Sequence, residues 1–182
     1  VVGDRCVVSI AAGVPISTYQ ASLGAGTPIV RVMPNILCTV GEAASAYTPN
    51  DACDDEDIAE VDRLLNAVGT AVRVPEKLLD AVTGLSGSGP AFVAIFIEAL
   101  IDGGVAAGLH RTEAAKLATQ TVEGAARWIA ENNYEPSRLK ELVTSPGGTT
   151  IMGVRAIEDR GLRAAAIEAV MAAVERSEEL GS

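Results

Sequence analysis

The sequence predicts an α/β fold for its first part, built on a mostly parallel sheet, followed by an all-helical half. Three observations carry this. Short apolar strands alternate with helical segments as far as Pro75. The strand signal stops there, and beyond it long alanine-rich runs repeat at helical spacing. Aromatic residues make up 3% of the chain against 48% hydrophobic residues, which suits closely packed helices better than a β-sandwich.

The opening VVGDRCVVSIAAG has no methionine and no leading helix or turn. It reads as a strand entered midway through a fold, so the chain is expected to be a fragment. Arg5–Ile10 forms a first strand, closed by Ala11-Ala12-Gly13, and a helix follows from Pro15 to Leu23. Pro28–Met33 is a second strand, stopped by Pro34-Asn35. Ala43–Thr48 is a third, ending in a turn-rich tetrapeptide. Asp54–Val68 is an amphipathic helix, with Ile58, Val61, Leu64, Leu65 and Val68 along one stripe and an acidic first turn that suits the positive end of the helix dipole. Thr70–Val74 is a fourth strand. The chain therefore divides into residues 1–75, an α/β part, and residues 76–182, a helical part.

In the helical part Glu76–Val82 runs into GLSGSGPA. Ser88 is expected to cap a long apolar helix that reaches about Val105, with Pro90 in its first turn. Arg111–Asn132 follows, with Leu117, Thr121, Ala125 and Trp128 along one side. Then come Pro136–Val143, Ile151–Asp159 and Leu162–Leu180. The helix from Ala91 to Leu100 is apolar all round except for Glu98, and such a helix must be covered on every side. A second copy of the chain covers it most simply; a central core helix is the alternative.

Composition excludes several classes. The net charge of −10 argues against a nucleic-acid partner, which needs a basic face. No apolar run approaches the ~20 residues that cross a bilayer, so no membrane partner is expected. Cys6, Cys38 and Cys53 have no metal-ligand spacing and their odd count closes no disulfide framework; a reduced, cytoplasmic protein without a metal is expected. The one histidine, His110, lies in an interhelical loop and reads as a surface residue. No Cys/His or Ser/His/Asp set can be assembled, and the carboxylates sit on polar helix faces.

That leaves loops of small residues. SPGGTT, Ser145–Thr150, stands where a helix must begin. Its glycines admit a ligand to the backbone, the first N–H groups of the helix lack partners, and the dipole end is positive, so a carboxylate or phosphate fits without an arginine. The threonine hydroxyls add a hydrogen bond each. A plain helix-to-helix turn is the alternative. SGSGP, Ser86–Pro90, is a similar device or a helix start. SIAAGV and RVMPN each sit at the carboxyl end of a predicted parallel strand, the edge where open α/β sheets bind ligands.

In order and spacing, SIAAGV, RVMPN, GLSGSGPAFV, EALIDGGVAAGL and LKELVTSPGGTTIMGVRAIE resemble pyrroline-5-carboxylate reductase, and AAIEAVMAAVERSEELG is similar to that family's last helix. The likeness runs from about Val7 to the end. It implies a partial Rossmann-like domain followed by an all-α dimerisation domain that interleaves with its partner, with assembly to decamers in many members. It implies reduction of the cyclic imine 1-pyrroline-5-carboxylate to L-proline by NADPH or NADH, the last step of proline biosynthesis.

The resemblance also assigns roles. Ser145, Gly147, Gly148 and Thr149 would hold the substrate carboxylate, and Thr150 would place its hydroxyl beside the imine nitrogen. Ala12, Gly13, Pro34 and Asn35 would line the nicotinamide, with Ser86 and Gly87 close by, from the second subunit. A protonated imine already accepts hydride well, so alignment replaces a strong protein acid. Two departures stand out. The family's Gly-rich dinucleotide turn does not occur in this sequence, so the chain alone is expected to bind cofactor feebly and to be inactive. Ile36-Leu37 follows Asn35 where the family commonly has Thr-Pro. Two rival readings remain: a β-hydroxyacid dehydrogenase-like enzyme using Lys116 or Lys140, and a non-enzymatic helical dimerisation fragment.

Overall fold

The computed structural model describes residues 5–181; Val1–Asp4, at the head of the expected first strand, and Ser182 lie outside them. The first half is built from β1 (Val7–Ser9), α1 (Ile16–Leu23), β2 (Ile29–Met33), a 3₁₀ turn (Ile36–Val40), β3 (Ala43–Pro49), α2 (Asp55–Asn66) and β4 (Gly69–Arg73). The four strands lie in chain order in one sheet.

Strand β2 is the centre of this sheet. Ile29, Val30, Arg31 and Val32 are all buried, as expected of a strand covered on both faces. Burying each of its fully enclosed aliphatic side chains contributes about 1.5–3 kcal/mol. Val30 and Val32 pack with Tyr47 and with Val61 of α2, and Ile58 and Leu65 lie against this cluster. Leu64 and Val68, expected on the same stripe, remain exposed. Asp54 opens α2 through a capping box, accepting from the Asp57 N–H at 2.9 Å while Asp57 accepts from the Asp54 N–H at 3.3 Å.

The expected parallel character holds for β1 with β2 and for β3 with β4, whereas β2 and β3 run antiparallel. The reason is the link between them. Pro34 to Glu42 holds only a 3₁₀ turn, too short for the crossover that a parallel pair needs.

Beyond β4 the helices are α3 (Leu79–Val82), α4 (Gly89–Ala106), α5 (Arg111–Glu131), α6 (Pro136–Leu142), α7 (Thr149–Asp159) and α8 (Leu162–Gly181). The expected break before α4 does not occur. Thr83–Gly87 widens into a π turn in which the Ser88 N–H reaches the Thr83 carbonyl at 2.9 Å. Ser88 has helical dihedrals (φ −86°, ψ −24°), so it continues the helix rather than capping it. The glycine-rich stretch is absorbed as a wide turn. Glu76–Ala106 becomes one helical run containing an 18-residue stretch of mean hydropathy 1.6; by length and composition alone it is long and apolar enough to cross a bilayer, where the sequence reading expected no such run.

The chain forms two compact units. One reaches to Pro90 and takes in α8 from Ile167 onward; the other is Ala91–Ala166. In the first, Gly84 makes the close approach to α8 possible: a Cβ there would lie 2.5 Å from Val174 Cγ2 and 2.8 Å from the Val170 carbonyl oxygen. Ser177 Oγ then donates to Asp80 Oδ1 at 2.6 Å. In the second, α4 meets α5 at small residues, since a Cβ on Gly104 would lie 3.2 Å from the Ala114 methyl. The buried residues of α5 are therefore Ala114 and Ala118, while Leu117 on the expected stripe is exposed.

Candidate active site

In the first unit, β1 and β2 are parallel, so the turns that leave their carboxyl ends lie on the same edge of the sheet. The first turn is Ala11–Pro15. Ser9 Oγ receives the Ala11 N–H at 3.3 Å and shares a hydrogen bond with the Tyr19 hydroxyl, which ties the turn to α1. Gly13 has φ 74°, a left-handed conformation that disfavours any side chain. It also abuts the end of α8: a Cβ would lie 3.3 Å from Gly181 N and from the Leu180 carbonyl group. Ala12 is exposed beside it.

The second turn is Pro34-Asn35. Asn35 is buried, and its side chain is fully engaged with backbone. Oδ1 accepts from Leu37 N–H at 3.2 Å and Ala44 N–H at 3.3 Å, while Nδ2 donates to the Ser86 carbonyl at 2.9 Å. The Asn35 amide thus joins the β2 turn, the start of β3 and the SGSG segment. Gly87 lies next to Met33, where a Cβ would sit 2.8 Å from Met33 Cε. The Ser86 hydroxyl turns back to the Val82 carbonyl at 3.2 Å. The structure brings Gly13, Pro34, Asn35, Ser86 and Gly87 into this unit, with Asn35 and Ser86 in direct contact.

Sequence reasoning missed what holds the first turn. Glu76 Oε1 accepts the Ile16 N–H at 2.7 Å, the first amide of α1, and pairs with the buried Arg31 at 3.2 Å. An arginine inside an otherwise apolar strand was the available signal, because a buried guanidinium requires a carboxylate partner.

In the second unit the Ser145–Thr150 corner stands between α6 and α7. Gly147 has φ 67°, and Gly148 opens α7 in an extended conformation (φ −75°) without a side-chain cap. The Gly148 N–H is engaged by the Ser145 carbonyl at 3.1 Å. Thr149 and Thr150 stand in the first turn of α7, whose amides have no acceptor within the helix. Among the described residues no side chain caps this end. The Ser145 hydroxyl lies over Gly148, within 2.2 Å of where a Cβ would be. Such a corner presents bare amides, one hydroxyl from Ser145 and two from the threonines, with no acidic or basic group in Ser145–Thr150. It can hold an anion by dipole and hydrogen bonds alone.

A family model described as pyrroline-5-carboxylate reductase dimerisation matches residues 76–180. A pyrroline-5-carboxylate reductase of Methanosarcina acetivorans is 54% identical over 181 residues, covering 100% of this chain and 67% of that protein. The chain belongs to the pyrroline-5-carboxylate reductase family.

A relative from Arabidopsis thaliana is 49% identical, with 97% of this chain and 64% of that one covered. The solved pyrroline-5-carboxylate reductase of Coxiella burnetii superimposes with a TM-score of 0.94 at 36% identity, covering 97% of this chain and 66% of that one. That of Plasmodium falciparum, solved with NADP bound, gives 0.89 at 35% identity, covering 98% and 72%. The chain spans about two thirds of the length of the curated pyrroline-5-carboxylate reductases it matches. The fold expected from the resemblance, a Rossmann-like part followed by a helical dimerisation part, is the fold of these relatives. The family match opens at residue 76, where the long helical run also begins.

Proposed function

We propose that this member of the family reduces 1-pyrroline-5-carboxylate to L-proline with NADPH or NADH. The observation that supports the reading best is the corner at Ser145–Thr150, where the first-turn amides of α7 have no acceptor within the helix, no described side chain caps them and the hexapeptide itself carries no acidic residue. In this reading the Thr149 and Thr150 N–H groups and the Ser145 hydroxyl hold the substrate carboxylate. Gly148 contributes by having no side chain in that space, since its own N–H is engaged by Ser145. The Thr150 hydroxyl is directed to the imine nitrogen and fixes the ring's orientation.

The cofactor's part is to deliver hydride to the C=N carbon. The edge turns fit its flat nicotinamide end: Ala12, Gly13 and Pro34 present backbone and small side chains, and Ser86-Gly87 presents a wide helical turn. Asn35 serves by position, because its amide is engaged on three sides by the protein itself. Ile36 and Leu37, both exposed, give that turn no hydroxyl to offer. Holding the two reactants at about 3–3.5 Å is the main catalytic device.

The same reading gives α4 its cover. No residue of α4 is buried, and Val93, Ile95, Phe96 and Leu100 are all exposed. A second copy of the chain buries this apolar face, in keeping with the dimerisation model that matches here. Rings of such dimers and a cytoplasmic location complete the proposal.

The test is pyrroline-5-carboxylate-dependent oxidation of NADPH by an extended form that supplies the dinucleotide turn. Turnover with the cyclic imine supports the reading. Turnover with a β-hydroxy acid and none with the imine overturns it.

A further inference from the structure

Folding places Cys6 and Cys53 side by side, although they are far apart in sequence and have no recognisable ligand spacing. The two Sγ atoms and a carboxylate oxygen of Asp57 all lie within 4.8 Å of one another, and all three residues are half-buried. We propose that Cys6, Cys53 and Asp57 form a binding site for one thiophilic divalent cation of the zinc class. The site lies at the amino end of β1, opposite the Ala12-Gly13 turn, and is independent of the proposed reductase activity.

Four features support it. The first is reach: bonds of about 2.3 Å to sulfur and about 2.1 Å to oxygen bring such ligands to roughly 3.5–4 Å apart, so a shift of side-chain scale closes the set. The second is charge. Two of the three ligands, Cys6 and Asp57, border an open depression of about 520 Å³ that Asp54, Glu56 and Glu60 also line, with Arg5 as the one basic side chain among its lining residues. Two thiolates and a carboxylate match a soft cation in a field already favourable to it.

The third is orientation. Asp57 is locked at the start of α2 by its capping box, which occupies Oδ2 and leaves it a second oxygen. Cys53 is held at the entry to the same helix, its N–H bonded to the Asn50 carbonyl at 3.2 Å, and Cys6 precedes Val7, whose N–H is fixed to Pro28 at 2.9 Å. Ligands that are already positioned bind with less loss of freedom.

The fourth is that the thiol proton of Cys53 is dispensable. Its acceptors are Ile29 O at 3.4 Å and Asn50 Oδ1 at 3.3 Å. Ile29 O already receives the Asn50 N–H at 2.9 Å. Asn50 Oδ1 already receives Ile29 N–H at 3.0 Å and Ala52 N–H at 3.3 Å. Removing the thiol proton orphans neither. On binding, two Sγ protons pass to solvent, two metal–sulfur bonds and one metal–oxygen bond form, and a water takes the fourth position; nothing is oxidised or reduced.

The experiment titrates Co²⁺ into the reduced, chelator-treated chain and follows thiolate-to-metal charge-transfer absorption. The expected result is saturation at one Co²⁺ per chain, release of about two protons, and loss of the band on adding Zn²⁺. Cys6→Ser and Cys53→Ser abolish the band, each checked for native circular dichroism; Asp57→Asn weakens binding at least ~10-fold; Cys38→Ser, at an exposed thiol outside the cluster, leaves it unchanged. No charge-transfer band, a band that survives Cys6→Ser, or one that disappears with Cys38→Ser overturns the proposal. So does an isolated chain two hydrogens lighter through a Cys6–Cys53 disulfide.

Discussion

The Asn35 side chain donates to the Ser86 carbonyl at 2.9 Å, across a sequence separation of 51 residues, and its oxygen accepts two further backbone amides. One buried amide therefore stitches the turn after β2 to the π turn that leads into α4. Asn35→Ala should destabilise the chain by about 2–4 kcal/mol, the sum of three modest hydrogen bonds and the cost of leaving their partners unmet. Urea unfolding followed by circular dichroism measures this. A change below about 1 kcal/mol means that water replaces the amide.

Glu76 holds both the first amide of α1 and the buried Arg31. Glu76→Ala should cost about 2–3 kcal/mol, because it strands a guanidinium whose side chain is 9% exposed. Glu76→Gln should cost less, since its amide oxygen still accepts the Ile16 N–H. Replacing both partners by apolar residues, Arg31→Met with Glu76→Leu, should recover much of the loss. If the double variant is as unstable as Glu76→Ala, the ion pair is not the cause.

Burial, then the hydrogen bond to Asp62 and its charge, push the Tyr47 phenol above its ordinary 10.0. A raised value means that the fold favours the neutral phenol. Its contribution is complete below pH 10 and is lost as pH rises beyond it, when the unfolded chain ionises first. Tyr47→Phe should therefore show a shallower fall in stability above pH 10 than the parent. Parallel curves for the two proteins would contradict this.

At the corner before α7, Gly147 and Gly148 should separate structure from binding. Gly147 has φ 67°, so Gly147→Ala should cost about 1–2 kcal/mol of stability. Gly148 has an ordinary φ of −75°, but its Cβ would point at the Ser145 hydroxyl. Gly148→Ala should leave the fold intact and weaken binding of a proline analogue, read by calorimetry. Equal affinity in that variant removes Gly148 from the carboxylate seat.

Thr150→Ala in the extended, cofactor-binding form should lower turnover by roughly 10–100-fold, the value of one hydrogen bond to a charged imine. Stability should change by less than about 0.5 kcal/mol, because no described residue bonds to that hydroxyl. Unchanged kinetics would take Thr150 out of the reaction.

Much of this was legible in the sequence, for identifiable reasons. Strand β2 and helix α2 announce themselves by apolar runs and period, and Asp54 by the acidic turn it caps. The start of α7 at Thr149 was legible because a proline and two glycines end one helical run immediately before two threonines. Ser88 misled because a serine before a Gly-Pro pair looks like a cap, whereas a π turn is set by backbone bonds that leave no side-chain pattern. The antiparallel β2–β3 joint was hidden in a link whose length, not its residue types, decides direction. Cys6 and Cys53 meet only through the register of β1 beside β2 and the placement of α2, which no local spacing encodes. The Arg31–Glu76 pair was likewise a consequence of tertiary packing.

In the proposed function the amides of Thr149 and Thr150 grip the substrate's carboxylate. A crystal structure of the extended form grown with L-proline tests it most directly. A proline carboxylate is expected within about 2.7–3.2 Å of those two nitrogens. A proline bound elsewhere, or a corner filled by the protein's own side chains at saturating proline, would contradict it.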